Sequence, residues 1–224
     1  MIRIAVVDDH QIVRQGLTNI LELNNFFKVV FTSENGIDLF EKLEDCNFQV
    51  DIILLDLQMP IMDGFETCEK LKKKKPNIKV IILSQLGSKE SIKNVLKSGA
   101  NGYLTKNIDS KSLHNAIERV YKEDFYFDMK LSDVIREAML IKDGLLVEDV
   151  NKKSSERLLS DREIEIVELI SREFNTGEIA DKLCLNYRTI ESHRKRIMTK
   201  VGAKNFIGVV IFAIKNGLIN IENM

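Results

Sequence analysis

The chain is poor in the residues that break or cross-link a fold. It has 2 prolines and 11 glycines in 224 residues, with a charged fraction of 30%. That composition excludes collagen-like and low-complexity material. Its 3 cysteines, Cys46, Cys68 and Cys184, are widely spaced and form no CxxC pair. Neither a disulfide framework nor a zinc motif is expected. They read as small buried hydrophobes in a reducing compartment. The 3 histidines, His10, His114 and His193, show no metal-ligand spacing. Long apolar runs are also missing. Residues 52–55 and 209–214 fall far short of the roughly 18 residues of a membrane span. Asp8 and Asp9 cut the N-terminal apolar run too early for a signal peptide. A soluble cytoplasmic protein without membrane contact is expected.

The length suits one or two domains. The net charge of -1 is unevenly spread. Residues 152–224 hold 13 Lys and Arg against 10 Asp and Glu, so they carry a slight positive excess. Five cations, Arg188, Arg194, Lys195, Arg196 and Lys200, crowd one short stretch with a single acid, Glu191. A concentrated basic patch is the form of a nucleic-acid contact surface.

The first half alternates two periodicities. Apolar runs predict strands over residues 2–7, 28–32, 51–55, 80–83 and 102–105. Amphipathic segments predict helices over 11–23, 37–43, 65–74, 88–97 and 110–121. Five such units in a row predict a doubly wound parallel α/β sheet, covered by helices on both faces. Runs such as 52–55 lack polar alternation, as strands buried on both faces should. The second half reads as all-α. Residues 124–155 look like a helical extension and linker. Four short helices follow. Ser160 with Glu163 forms a capping-box signature for the first. Asn175 or Thr176 starts the second. The third runs over 187–201 with Gly202 as its cap, and the fourth over 206–216.

In doubly wound sheets, ligands bind beyond the carboxyl ends of the strands. There the sequence places Asp8 and Asp9, Asp56, Ser84 and Lys106. Three carboxylates repel one another unless a cation joins them. Mg²⁺ suits carboxylates, water and phosphate oxygens. A carboxylate is also a competent phosphoryl acceptor, and a lysine would offset the charge of a transferring phosphoryl group. Ser84 could hydrogen-bond the product. Taken singly, each residue has a bland reading as a cap, a turn former or a solvated charge. His10 reads as a first-turn residue near the site, and Lys72–Lys75 as a solvated helix end.

These residues resemble a response-regulator receiver domain over about residues 1–123. The match rests on Val7-Asp8-Asp9-His10, Asp56-Leu57-Gln58-Met59-Pro60 with Asp63-Gly64, Ser84, and Tyr103-Leu104-Thr105-Lys106. The resemblance implies a flavodoxin-like fold with Asp56 as phosphoacceptor. It implies Mg²⁺ held by Asp9, Asp56 and the backbone carbonyl of Gln58, with Asp8 acting largely through water. Ser84 and Tyr103 match the switch pair, and Lys106 the phosphate-contacting lysine. Asn107 departs from the proline of many receivers, outside the chemistry.

Residues 156–224 read as one domain, and about residues 156–221 of it resemble a LuxR-type helix-turn-helix. The pattern runs from Leu159-Ser160-Asp161-Arg162-Glu163 through Arg188-Thr189-Ile190-Glu191-Ser192-His193-Arg194 to Ile197–Asn205. Ile190, Ile197 and Val201 share an inward stripe, while Arg188, Glu191, Ser192, Lys195 and Thr199 face outward. Such a helix fits the major groove of double-stranded DNA. Glu191, Ser192 and Lys195 are expected nearest the bases. Arg188, Arg194, Arg196 and Lys200 are expected on phosphates. Glu191 either accepts from cytosine or pairs with Lys195 one turn on. The last helix carries Ile207, Val210, Ile211 and Ile214, either core or a homodimer contact.

The combined layout resembles the NarL/FixJ type of two-component regulator. It implies a DNA-binding transcriptional response regulator, phosphorylated on Asp56 by a sensor histidine kinase and dimeric when phosphorylated or DNA-bound. It is not expected to be an enzyme beyond loss of its own phosphate. An atypical regulator with the same DNA module and phosphorylation-independent control is the alternative. A nucleotide-dependent enzyme is disfavoured by the lack of GxGxxG and GxxxxGK[ST] motifs. An aspartate-nucleophile phosphatase is disfavoured by Gln58, where such enzymes carry an acid.

Overall fold

A computed structural model describes residues 1–45, 49–85, 98–123, 125–126, 158–172, 174–203 and 205–219. The chain divides into two compact units, Met1–Tyr126 and Phe127–Met224. The helix expected over 88–97 lies outside the described residues. So do Cys46 and all of the expected extension 124–155 except Phe125 and Tyr126.

The first unit runs β1 (Ile2–Val7), α1 (Gln11–Glu22), β2 (Phe27–Ser33), α2 (Gly36–Asp45), β3 (Ile52–Asp56), α3 (Gly64–Lys74), β4 (Lys79–Ser84), β5 (Gly102–Thr105) and α4 (Ser110–Glu123). The five strands form one parallel sheet in the order β2-β1-β3-β4-β5. Side chains alternate between the sheet's two faces. Ile4, Val6, Ile52, Leu54, Ile81 and Leu83 pack with Leu21 of α1 and with Leu113, Ile117 and Val120 of α4. Ala5, Ile53, Leu55 and Ile82 are fully buried as well. Burial on both faces explains why these strands carry no polar alternation.

Residues 125 and 126 correct one expectation. They are not part of a helical extension. Tyr126 bridges Gly102 at the start of β5, and its N–H donates to the Asn101 carbonyl at 2.9 Å. The first compact unit ends at Tyr126.

The strand order reverses beside β1. That switch point is where a doubly wound sheet opens a crevice at its carboxyl edge. Val7 lies opposite Leu55, so the next residues, Asp8 and Asp56, fall side by side. Ser84 ends β4 opposite Thr105 of β5. The sheet register thus gathers the polar strand ends along one edge.

The second unit contains α5 (Asp161–Ser171), α6 (Thr176–Lys182), α7 (Tyr187–Val201) and α8 (Phe206–Lys215). Both of its first two helices start with a full capping box, Ser160 with Glu163 and Asn175 with Glu178. Gly202 ends α7 at φ 69°, in the left-handed region that glycine enters without strain. Ile166, Val167, Ile170, Ile179, Ile190, Ile197, Val201, Val209 and Ile211 form the interior. Of the cysteines, Cys68 is buried as expected, but Cys184 is exposed. The reason is local: Cys184 sits in the turn after α6 at φ 52°.

Glu163 also receives Lys200 Nζ at 2.7 Å. Burial pushes its carboxyl up, but Lys200 and the Ser160 cap outweigh this and hold it below its ordinary value. Ser160→Ala removes one arm of the box. It is expected to destabilise the unit by about 1 kcal/mol at neutral pH, read as a lower thermal midpoint by circular dichroism.

Candidate functional site

Asp8 and Asp56 are almost wholly buried at the ends of β1 and β3. Lys106 follows β5 and reaches back between them. Its Nζ lies 2.6 Å from Asp8 Oδ2 and 3.0 Å from Asp56 Oδ2. Its backbone N–H donates to the Ser84 carbonyl at 2.7 Å, which ties the lysine to the end of β4. Desolvation pulls the Lys106 ammonium down, but hydrogen bonds and attraction from Asp8 and Asp56 raise it above its ordinary value overall. Asp56 moves up too. Burial is the main cause, Lys106 opposes it, and the neighbouring Asp8 adds to it. An acid raised by burial beside a lysine is the electrostatic form of a functional carboxylate.

The loop after β1 is pinned from below. Arg14 on α1 donates to the backbone carbonyls of Asp8 at 2.6 Å and Asp9 at 3.0 Å. The Leu57 N–H donates to Asp56 Oδ1 at 2.8 Å. Gly64, the first residue of α3, packs against this strand end. A Cβ there would overlap the Asp56 carbonyl oxygen. Asp63 caps α3 by accepting from the Glu66 N–H at 2.9 Å.

Ligand atoms of Asp8, Asp9, His10 and Asp56 all lie within 4.8 Å of one another. Among the described residues, the buried Asp9 Oδ1 accepts no hydrogen bond of good geometry, and the His10 ring lies 2.8 Å from it. Such an acid oxygen in a cluster of carboxylates fits a divalent cation. The donor set therefore suits Mg²⁺. Gln58 is exposed.

Ser84 and Tyr103 are both buried. The register puts them on the same face of neighbouring strands, since Tyr103 pairs with Ile82 and Thr105 with Ser84. Among the described residues the Tyr103 hydroxyl makes no hydrogen bond of good geometry. Burial raises it, and the Ser84 side chain, which lies near enough to interact, tempers the shift.

The structure sets Asp8, Asp9, Asp56 and Lys106 together and places Ser84 and Tyr103 on one face of the neighbouring strands β4 and β5. Sequence reasoning did not single out Arg14, whose role depends on α1 folding back beneath the loop. The His10 ring lies against two of the carboxylates, near the site as expected.

In the second unit, α7 exposes Arg188, Glu191, Ser192, Lys195, Arg196, Thr199 and Lys200. Ile190, Ile197 and Val201 are buried beneath. Among the described residues no ion pair joins Glu191 to Lys195. One cation requires correction. Arg194 is buried. Its guanidinium donates to Thr176 Oγ1 at 2.7 Å and stacks 5.4 Å from the Phe206 ring centre. It joins three helices and does not face outward with the others. Lys200 is exposed and pairs with Glu163 at 2.7 Å. On α8, Val209, Val210, Ile211 and Ala213 are buried in this unit, and Phe212 and Ile214 are half-buried.

Among the described residues no helix is long and apolar enough to cross a membrane. Residues 4–118 match the family described as "Response regulator receiver domain". Residues 157–213 match "Bacterial regulatory proteins, luxR family". The chain is 34% identical to the "Oxygen regulatory protein NreC" of Staphylococcus aureus (strain bovine RF122 / ET3-1), over 97% of this chain and 99% of that protein. It is 25% identical to the solved RcsB response regulator of Salmonella typhimurium, with TM-score 0.55, covering 96% of this chain and 99% of that one. A LuxR-family two-component response regulator from Aurantimonas sp. SI85-9A1 is also 25% identical. Its TM-score is 0.56, over 62% of this chain and 97% of that one.

Proposed function

The chain belongs to the two-component response regulators that join a receiver domain to a LuxR-type DNA-binding domain, and we propose that phosphorylation of Asp56 by a partner histidine kinase is its switch. One arrangement carries this reading. Asp56 is buried at the switch point of the sheet, with Lys106 bridging it to Asp8 and the buried Asp9 oxygen beside it.

In this reading an Asp56 carboxylate oxygen attacks the phosphorus of a phosphohistidine. The new O–P bond forms as the P–N bond breaks, and the imidazole leaves. Lys106 Nζ stands where it can neutralise the phosphoryl oxygens. Asp9, Asp56 and the Gln58 carbonyl would hold Mg²⁺, with Asp8 acting through water. When bound, that ion neutralises phosphoryl charge that three carboxylates alone would repel. Ser84 then hydrogen-bonds the aspartyl phosphate. Its movement gives the buried Tyr103 hydroxyl room to reposition, a two-state element that the phosphate biases.

The readout is DNA. We place Glu191, Ser192 and Lys195 of α7 toward the bases, and Arg188 and Arg196 on phosphates. The solved RcsB relative is described in terms of its DNA interaction. A homodimer through α8 would match a two-half-site operator. Such a regulator acts in the cytoplasm, and its receiver is a phosphoryl acceptor rather than a turnover enzyme.

The test is intact mass after incubation with a small phosphodonor and Mg²⁺. Wild type should gain one phosphoryl group, and Asp56→Asn none. An equal adduct on both proteins would place the acceptor elsewhere. No adduct on wild type, with the small donor or with a phosphorylated kinase, would leave the phosphorylation-independent regulator.

A further inference from the structure

His10 has no established part in this chemistry, yet its ring is the feature of the site that the receiver reading leaves unexplained. It occupies the N-cap position of α1, and its side chain makes no capping hydrogen bond. Nδ1 instead lies 2.8 Å from Asp9 Oδ1 and 3.4 Å from Asp8 Oδ1. Among the described residues Asp9 Oδ1 accepts no hydrogen bond of good geometry, so the ring stands beside it without a well-aligned N–H. The backbone is held firmly: the His10 N–H donates to Asp8 Oδ1 at 2.9 Å, and Arg14 clamps the two preceding carbonyls.

The approach to Asp9 has a simple reading. Bonds of 2.0–2.1 Å at right angles put neighbouring ligands of an octahedral ion about 3 Å apart. The observed 2.8 Å between His10 Nδ1 and Asp9 Oδ1 is close to that value. Lys106 takes the Oδ2 atoms of Asp8 and Asp56, so the ring stands on the opposite, Oδ1 side of Asp8. Almost two-thirds of the imidazole is open to solvent, which leaves a path for an ion to reach it.

We propose that His10 is a ligand of the divalent cation at this site, so that the site takes nitrogen-binding ions such as Mn²⁺ and Co²⁺ as well as Mg²⁺. The inference rests on the reading that Asp9 and Asp56 hold a cation. Imidazole favours the transition metals, while Mg²⁺ is content with oxygens and water. Replacing His10 therefore weakens the first class and leaves the second.

The full-length protein and His10→Gln would be titrated with Mg²⁺ and with Co²⁺ by calorimetry. Pulsed electron paramagnetic resonance on the Mn²⁺-loaded proteins would report directly bound nitrogen. In His10→Gln, Co²⁺ affinity should fall at least about tenfold, Mg²⁺ affinity should hold, and the nitrogen coupling of wild type should vanish. Intact Mg²⁺ binding shows that the variant is folded. Equal Co²⁺ affinity in both proteins, with no nitrogen coupling in either, would overturn the role of His10 alone. Failure of wild type to bind Mg²⁺ or Co²⁺ at all would overturn the cation site itself.

Discussion

Lys106→Met is expected to slow phosphoryl transfer to Asp56 by on the order of 10²–10³-fold, as loss of one preorganised charge at a transfer site does. The ammonium lies 3.0 Å from Asp56 and 2.6 Å from Asp8. Methionine keeps the stem's bulk and removes only the charge. The rate is read as phosphoryl adduct against time by intact mass, at fixed donor and Mg²⁺. A rate equal to wild type would remove Lys106 from the mechanism.

The same variant should also be less stable when Mg²⁺ is chelated, because breaking a buried pair leaves its acids uncompensated. The pH behaviour follows from the two shifts. Lys106 is raised in the folded state, so its contribution is complete at neutral pH and fades only as pH climbs through the raised value. Asp56 is raised as well, mainly by burial. A carboxyl shifted that way costs stability once pH exceeds its unfolded value, and the cost is complete above the folded value. Asp56→Asn should therefore raise the thermal midpoint of chelated protein at pH 7 while Lys106→Met lowers it. Opposite signs from two variants of one contact separate electrostatics from mere loss of packing.

The receiver site was legible because its information is local to strand ends. Residues 52–55 and 80–83 are unbroken apolar runs, which mark strands covered on both faces. Once those strands are parallel, the residue after each run must fall on the same edge, and Asp8, Asp56 and Ser84 do. The capping boxes at Ser160 and Asn175 were equally local, since three residues fix them. What escaped the sequence depends on contacts made across it. Arg14 acts only because α1 returns beneath the β1 loop. Lys200 pairs with Glu163, 37 residues away. Gly64 was visible as a motif residue, but its reason is the Asp56 backbone pressed against it.

Arg194 differs, because a signal was present and charge obscured it. It follows Ile190 by four residues and precedes Ile197 by three, so it lies on the inward stripe of α7. A guanidinium there is tolerable only with partners, and Thr176 and Phe206 supply them from α6 and α8.

That placement separates two arginines two residues apart. Arg194→Ala removes a hydrogen bond made by a charged group and a desolvated cation–π contact, together about 3 kcal/mol. In a unit of this size that lowers the thermal midpoint by about 10 °C or more. DNA affinity measured on protein that remains folded should keep its dependence on salt. Arg196→Ala should do the reverse: it leaves the midpoint unchanged and lowers the slope of log affinity against log salt by about 1, the mark of one lost phosphate contact. Both quantities come from thermal melts and from DNA titrations at several salt concentrations. An Arg194→Ala protein that melted like wild type and lost a unit of salt slope would return Arg194 to the DNA face. The helix would then have to turn to expose it, and Ile190 and Ile197 would lose their cover.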